Sequence, residues 1–447
     1  MITAYKVHSQ FIFLLIILYV IGVWGGPIIY VLLPLMMLLL GLKNRFFEIF
    51  IIAIWMLILS DYVPVKSATH DDLQFAKDLK PLIPILFFLF YLKDRQLFGK
   101  VPKVFIYFVP FFISATISLF LAQNMASTLP KTVSFILLYS TVPIFVVFLH
   151  RTQKMMFWQS LMTFIIGMLT IGIVLRFVAP DIANISSGRF KGIFGNPNGV
   201  GLFLNLVFVL WIVLREYGLT KFTRLENRYI FGVILISLIW SGSRNAMMSI
   251  MIFYFVYKII KINWFLALLM VAAIVILSDP FFELLIDIIE FFGLQEFFRI
   301  ESIEEGSGRK VAWVFGWQQV EKYYFFGGGF GYAADLYAAN YSVLSRLGHE
   351  GNAHNSYLTF WLNTGIIGVI LYFGGLLTAV IKAMKKNYLV IAFFICICFN
   401  IMYESWLVAS LNPFTIIFLT ILTIFIANLR GEDYSPVSIE NSPKESE

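Results

Sequence analysis

The chain is a succession of long apolar runs separated by short, mostly basic connectors, with one polar interval far longer than the others, from about Ser278 to Asn355. Runs of about 15–22 apolar residues match the length a helix needs to cross about 30 Å of hydrocarbon. They fall at roughly 11–24, 27–41, 46–62, 80–93, 102–122, 131–149, 156–178, 199–216, 228–243, 245–259, 262–278, 355–382, 387–405 and 412–428. The runs at 27–41, 80–93 and 245–259 are short, which sets the expectation at about 12–14 transmembrane helices. No small-residue cleavage site follows the first run and the chain re-enters the membrane within a few residues, so that run reads as a span and not as a cleaved signal. The pattern predicts an all-α polytopic membrane protein. Residues 1–430 form a single transmembrane domain, 279–354 a long extracytoplasmic loop, and 431–447, rich in Ser, Pro and Glu, a disordered cytoplasmic tail.

Composition agrees with this class. Of 447 residues, 60% are hydrophobic, 18% aromatic and only 13% charged, which excludes a soluble globular chain. Cytoplasmic loops of membrane proteins retain Lys and Arg. Placing both termini in the cytoplasm puts the basic connectors at 43–45, 93–103, 150–154, 215–228, 258–261 and 382–386 on that side and the long loop on the other. The net charge of +7 is explained by these connectors, and no nucleic-acid partner is needed to account for it. The two cysteines, Cys396 and Cys398, sit inside one apolar run and read as packing residues. No cluster has metal-ligand spacing and no phosphate-binding P-loop occurs, so neither a metal nor a cofactor is expected.

Four polar constellations fall on the face of the long loop. The segment S-S-G-R-F-K-G-I-F-G-N-P-N-G-V-G (186–201) combines a glycine-rich turn with Arg189 and Lys191, a setting that suits an anion; the alternative is a tight re-entry loop with Asn198 capping the next helix. The turn S-G-S-R (241–244) places Arg244 at membrane depth, where an arginine is expensive and marks a functional site unless it snorkels. In the long loop, Phe281 to Phe298 carries Glu283, Asp287 and Glu290 on one helical face, as in a helix lying on the membrane surface. Ser307 can then cap a helix opening near Arg309, whose positive end favours an anion. A salt bridge from Arg309 to Glu304 or Glu305 is the competing reading. The cluster F-F-G-G-G-F-G-Y (325–332) is a flexible turn and a weak phosphate-loop signal. Finally, His354 stands where the loop enters the membrane; its near-neutral pKa class suits it to take a proton from a hydroxyl, against the alternative of an interfacial anchor.

Three arginines and a histidine on one face suit a diphosphate leaving group held by cations while a base activates an acceptor hydroxyl. Arginine fits because its planar fork pairs two phosphate oxygens at once.

The S-G-S-R turn, G-S-G-R-K-V-A-W followed by G-G-G-F-G, and H-N-S-Y-L-T-F-W-L-N-T-G-I-I-G together resemble the O-antigen ligase and polymerase superfamily over roughly residues 186–380. The resemblance implies a metal-independent, all-helical fold of the glycosyltransferase C type in the bacterial inner membrane. It implies His354 as catalytic base and Arg244 and Arg309 as contacts to undecaprenyl diphosphate. Arg189, Lys191, Asn196, Asn198 and Asn355 are further candidates for substrate binding. The expected partners are an undecaprenyl-diphosphate-linked glycan donor, lipid A–core or another glycan as acceptor, and membrane lipids. The leading function is O-antigen ligation with inversion at the anomeric carbon. The alternatives are an O-antigen or exopolysaccharide polymerase, a protein O-oligosaccharyltransferase, or, in a different class, a flippase for the same lipid-linked glycan. A transporter concentrates ionisable residues near the bilayer midplane, whereas here they gather at the outer surface, with Glu404 and Arg176 towards the outer ends of their runs.

Overall fold

The computed structural model describes residues 1–61, 73–263, 265–267, 269, 290, 291, 293, 309–348, 351–409 and 411–429. The expected span at 262–278 and surface helix at 281–298 lie largely outside these residues. Ser307, Glu304, Glu305 and the tail 431–447 lie wholly outside them. Regular structure among the described residues is helical; strand-like pairing is limited to one antiparallel bridge between Asn184 and Phe190. A bilayer demands this, because every backbone polar group in hydrocarbon must be satisfied within its own segment or a closed barrel.

Each expected run other than 262–278 coincides with a helix: Ile2–Trp24, Ile28–Leu42, Phe46–Asp61, Leu82–Lys93, Lys103–Ile117, Met125–Gln153, Met155–Val178, Pro197–Glu216, Arg224–Ser241, Arg244–Ile262, Ser356–Met384, Leu389–Asn400 and Pro413–Ala427. Seven of the described helices are long and apolar enough to cross a membrane unaided. The protein is an all-α polytopic membrane protein. Two of the helices are much too short to span. Leu82–Lys93 and Leu389–Asn400 have 12 residues each, about 18 Å of helix, so neither traverses the hydrocarbon alone. The first is preceded by a separate short helix, Gln74–Leu79, and the second gives way to an irregular turn at 401–409.

Burial sorts the helices into centre and rim. Every residue from Phe46 to Ser60 is buried, and so are nearly all of Pro197–Glu216 and Pro413–Ala427. By contrast, only 17% of the most apolar stretch within Ala4–Trp24 is buried, so this helix offers most of its surface to lipid. At one end of the bundle the basic connectors meet. The Met1 amino group pairs with Glu226, Lys261 pairs with Glu216 at 2.8 Å, and Gln159 donates to the Lys221 carbonyl. These contacts gather connectors that the charge pattern assigns to one side.

A break in the Ser356–Met384 helix shapes the other end. Gly365 has φ +68° and ψ −179°, a conformation in which an L side chain is strained, and an added Cβ would lie 2.1 Å from the Phe325 backbone. The break frees backbone groups on both sides, and the glycine cluster satisfies them. Gly328 and Gly329 donate their N–H groups to the carbonyls of Leu362 and Asn363, while Ile366 and Ile367 donate to the carbonyls of Tyr324 and Phe325. This corrects the phosphate-loop reading of 325–332. The Gly328 and Gly329 amides are paired with a broken helix, and the segment is a docked strap.

The basic connectors and the polar loops define two faces, and the retained Lys and Arg predict which is cytoplasmic. A cysteine placed at exposed Ser345 is expected to react with a membrane-impermeant maleimide added from outside intact cells, and one at exposed Lys385 only after the membrane is opened. The reverse pattern would invert the topology.

Candidate active site

The site is assembled around the turn that follows Leu389–Asn400. Asn400 is fully buried and holds this turn in place. Its side-chain carbonyl accepts the Trp406 indole N–H at 2.8 Å, its amide donates to Ser249 Oγ at 3.1 Å, and its backbone carbonyl accepts from Asn245 Nδ2 at 3.1 Å. The turn so anchored presents Glu404, which is only 7% exposed. A carboxylate taken from water this far needs partners. Arg309 Nη2 donates to Glu404 Oε1 at 3.0 Å, and His354 Nδ1 lies 3.4 Å from Oε2. One carboxylate thus joins the arginine and the histidine, which lie 95 and 50 residues away in sequence.

Each partner is itself held. Arg309 is the first described residue of the helix Arg309–Val320, and its guanidinium lies 5.9 Å from the centre of the Tyr403 ring. Trp313, one turn further on, donates its indole N–H to the Ala353 carbonyl at 3.0 Å, and Tyr337 donates its hydroxyl to the Ala312 carbonyl at 2.6 Å. His354 sits at φ +44°, a left-handed conformation uncommon for a residue with a side chain. Asn352 supports it by accepting the His354 backbone N–H at 3.3 Å and the Ser405 hydroxyl at 2.9 Å. The next residue, Asn355, is the N-cap of Ser356–Met384, its side chain accepting from the Leu358 amide at 3.0 Å. Ser356 donates its hydroxyl to the Glu404 carbonyl at 2.7 Å. The loop entry and the Glu404 turn are therefore tied together by both side chain and backbone.

Arg244 opens the helix Arg244–Ile262 immediately after the S-G-S-R turn. Its neighbour Asn245 makes the contact to Asn400 described above, which brings the start of this helix beside the Glu404 turn. The 186–201 loop supports the S-G-S-R turn from the other side. Arg189 donates from Nε to the Ser241 carbonyl at 2.9 Å and from Nη2 to Asn198 Oδ1 at 3.1 Å. Asn196, not Asn198, caps Pro197–Glu216, accepting from the Gly199 amide at 2.7 Å. Lys191 is 1% exposed, and burial lowers the pKa of its ammonium. Gly201 lets Ser243 approach; a Cβ there would fall 2.4 Å from Ser243 Cβ. Arg189, held by Asn198, thus ties this loop to the S-G-S-R turn, Asn196 starts the following helix, and Lys191 is closed off within the loop.

Residues 229–373 match the family model of the O-antigen ligases. The match covers about a third of the chain and supports a likeness to the O-antigen ligase superfamily. No curated protein matches the chain. The matched segment contains Arg244, Arg309 and His354, the three residues expected from the sequence to carry the chemistry, and the structure brings Arg309 and His354 onto one carboxylate. That carboxylate, Glu404, lies beyond the matched segment and was not among the expected site residues. The available signal was an acidic residue near the end of an apolar run, which is costly enough to suggest function. Its partners could not be read from spacing.

Asn400 gives a test of this framework. Replacing it with leucine keeps the number and branching of side-chain heavy atoms but removes the acceptor of the Trp406 N–H and the donor to Ser249. An orphaned buried donor costs about 1–3 kcal/mol. Asn400→Leu is expected to melt at a lower temperature in detergent than the wild type, and an unchanged melting curve would contradict the anchoring network.

Proposed function

We propose that the protein is a membrane glycosyltransferase that moves a glycan from undecaprenyl diphosphate to an acceptor hydroxyl at the outer face of the inner membrane, with ligation of O-antigen to lipid A–core as the leading reaction. The observation that carries this reading is the Arg309–Glu404–His354 bridge beside the start of the Arg244 helix. A carboxylate facing Nδ1 favours the tautomer with its proton on Nδ1, which makes Nε2 the basic nitrogen. His354 Nε2 takes the proton of the acceptor hydroxyl as that oxygen attacks the anomeric carbon. The bond from the anomeric carbon to the diphosphate oxygen breaks on the opposite face, and its electron pair leaves with the diphosphate. The configuration at that carbon inverts. Arg309 has five N–H donors, and its hydrogen bond to Glu404 uses one of them, so the rest of the fork suits phosphate oxygens. Arg244 supplies a second guanidinium to the same leaving group.

The same step with a second lipid-linked glycan as acceptor is polymerisation. Supplying lipid A–core and lipid-linked glycan in turn to purified protein separates the two. The family match over 229–373 and the placement of the charged residues at the loop end of the bundle both favour transfer over lipid flipping.

In purified membranes, His354→Ala is expected to abolish transfer while the protein still accumulates. Near-wild-type transfer would remove the general-base role. Arg244→Lys and Arg309→Lys are expected to lose roughly 30-fold to several-thousand-fold in rate, equivalent to about 2–5 kcal/mol, because an ammonium supplies a point charge without the fork. Activity preserved by lysine at either position would show that the position needs only a positive charge.

A further inference from the structure

Beside the Glu404 turn lies a cavity of about 440 Å³, within the ~300–1,000 Å³ range usual for small-molecule sites. Its wall includes Asn352, Ala353 and Ser405, the immediate neighbours of His354 and Glu404, and none of Arg189, Arg244 and Arg309. It also includes two lysines from distant parts of the chain, Lys80 before Leu82–Lys93 and Lys131 in Met125–Gln153. Lys131 is half-buried, and its side chain passes over Gly331, where an added Cβ would meet Lys131 Cδ at 2.8 Å. Its ammonium is 3.9 Å from Asp335 Oδ1, a long contact, and the other oxygen of Asp335 accepts the Ser127 hydroxyl at 2.6 Å. Lys80 is also half-buried. Burial lowers its pKa, while the charge of Asp61 acts in the opposite direction. The remaining wall mixes polar groups such as Thr359 with apolar ones such as Pro81 and Phe330, a surface suited to a sugar ring with its hydroxyls and its C–H face.

We propose that this cavity is the acceptor subsite and that it binds a saccharide carrying a phosphate or carboxylate, with Lys80 and Lys131 meeting the anionic group. Two ammonium groups on the wall of one cavity attract an anion, and the partial burial of Lys80 strengthens its share of that attraction. The adjoining Asn352, Ala353 and Ser405 connect the cavity to His354, so a sugar seated in it has a hydroxyl directed to that side. The naming of the occupant as acceptor rests on the transfer reaction proposed above; binding of an anionic saccharide does not.

The test is calorimetric titration of the full-length protein in detergent. The probes are a disaccharide bearing a phosphate monoester, the same disaccharide without phosphate, and inorganic phosphate. The phosphorylated disaccharide is expected to bind at least about tenfold more tightly than either of the others. Lys80→Gln and Lys131→Gln are expected to erase that preference, Lys80→Arg and Lys131→Arg to keep it, and undecaprenyl phosphate not to displace the sugar. Any of four results would overturn the proposal: equal affinity for the two disaccharides, no saturable binding of the phosphorylated one, a preference surviving both glutamine variants, or displacement by undecaprenyl phosphate. The wild-type comparison decides the matter even where a variant fails to fold. Intact binding without any glycan transfer would count against the reaction proposed above and leave the subsite standing.

Discussion

The polar end of this protein depends on one carboxylate removed from water. Glu404 is almost fully buried, and the free energy of desolvating it has to be offset by donors and cations held close by. Arg309 and His354 converge on it from a loop helix and from the loop's re-entry, while Ser356, in the first turn of a spanning helix, donates to the Glu404 backbone carbonyl. An ion pair of this kind adds little net stability, because desolvation offsets most of its Coulomb attraction. Its consequence is geometric. Two side chains far apart in sequence are held at a set separation and orientation, which is what a site handling a proton and a leaving group at once requires.

A second constraint is the break at Gly365. A continuous helix would have no spare backbone groups at 362, 363, 366 and 367; the break creates them, and residues 324–329 pair with all four. The strap thereby fixes Phe330 and Gly331, which line the cavity beside the Glu404 turn, and Gly331 in turn gives Lys131 room to cross. Local backbone chemistry in the glycine cluster thus reaches the shape of the proposed acceptor side.

The helical, membrane-spanning class was legible in the sequence because hydropathy over a window reports burial in lipid directly. Arg309 and His354 were legible because charge is expensive at a membrane boundary. Partnership was not. Nothing local relates Glu404 to residues 50 and 95 positions earlier, and the competing acidic partners proposed for Arg309 were simply nearer in sequence. Arg189 shows the same limit. An arginine in a glycine-rich loop reads as an anion site, yet its donors meet the Ser241 carbonyl and Asn198 of its own fold. The Gly cluster at 327–329 was misread for a related reason. Glycine marks unusual backbone, but whether the exposed amides meet a ligand or another stretch of chain depends on a break 36 residues away at Gly365. The early end of Leu389–Asn400 was hidden because residues 401–409 remain apolar enough to extend the run, although Asn400 and Trp406 lock them into a turn.

The central claim is that Glu404 acts through His354, and a double-variant cycle tests it most directly. Steady-state transfer would be measured for Glu404→Gln, His354→Gln and the combined variant, with radiolabelled donor to reach low rates. If the carboxylate works by holding the histidine, Glu404→Gln alone slows turnover, and the combined variant is no slower than His354→Gln. Losses that multiply in the combined variant would mean that the two residues act independently, and the shared carboxylate would be a feature of packing alone.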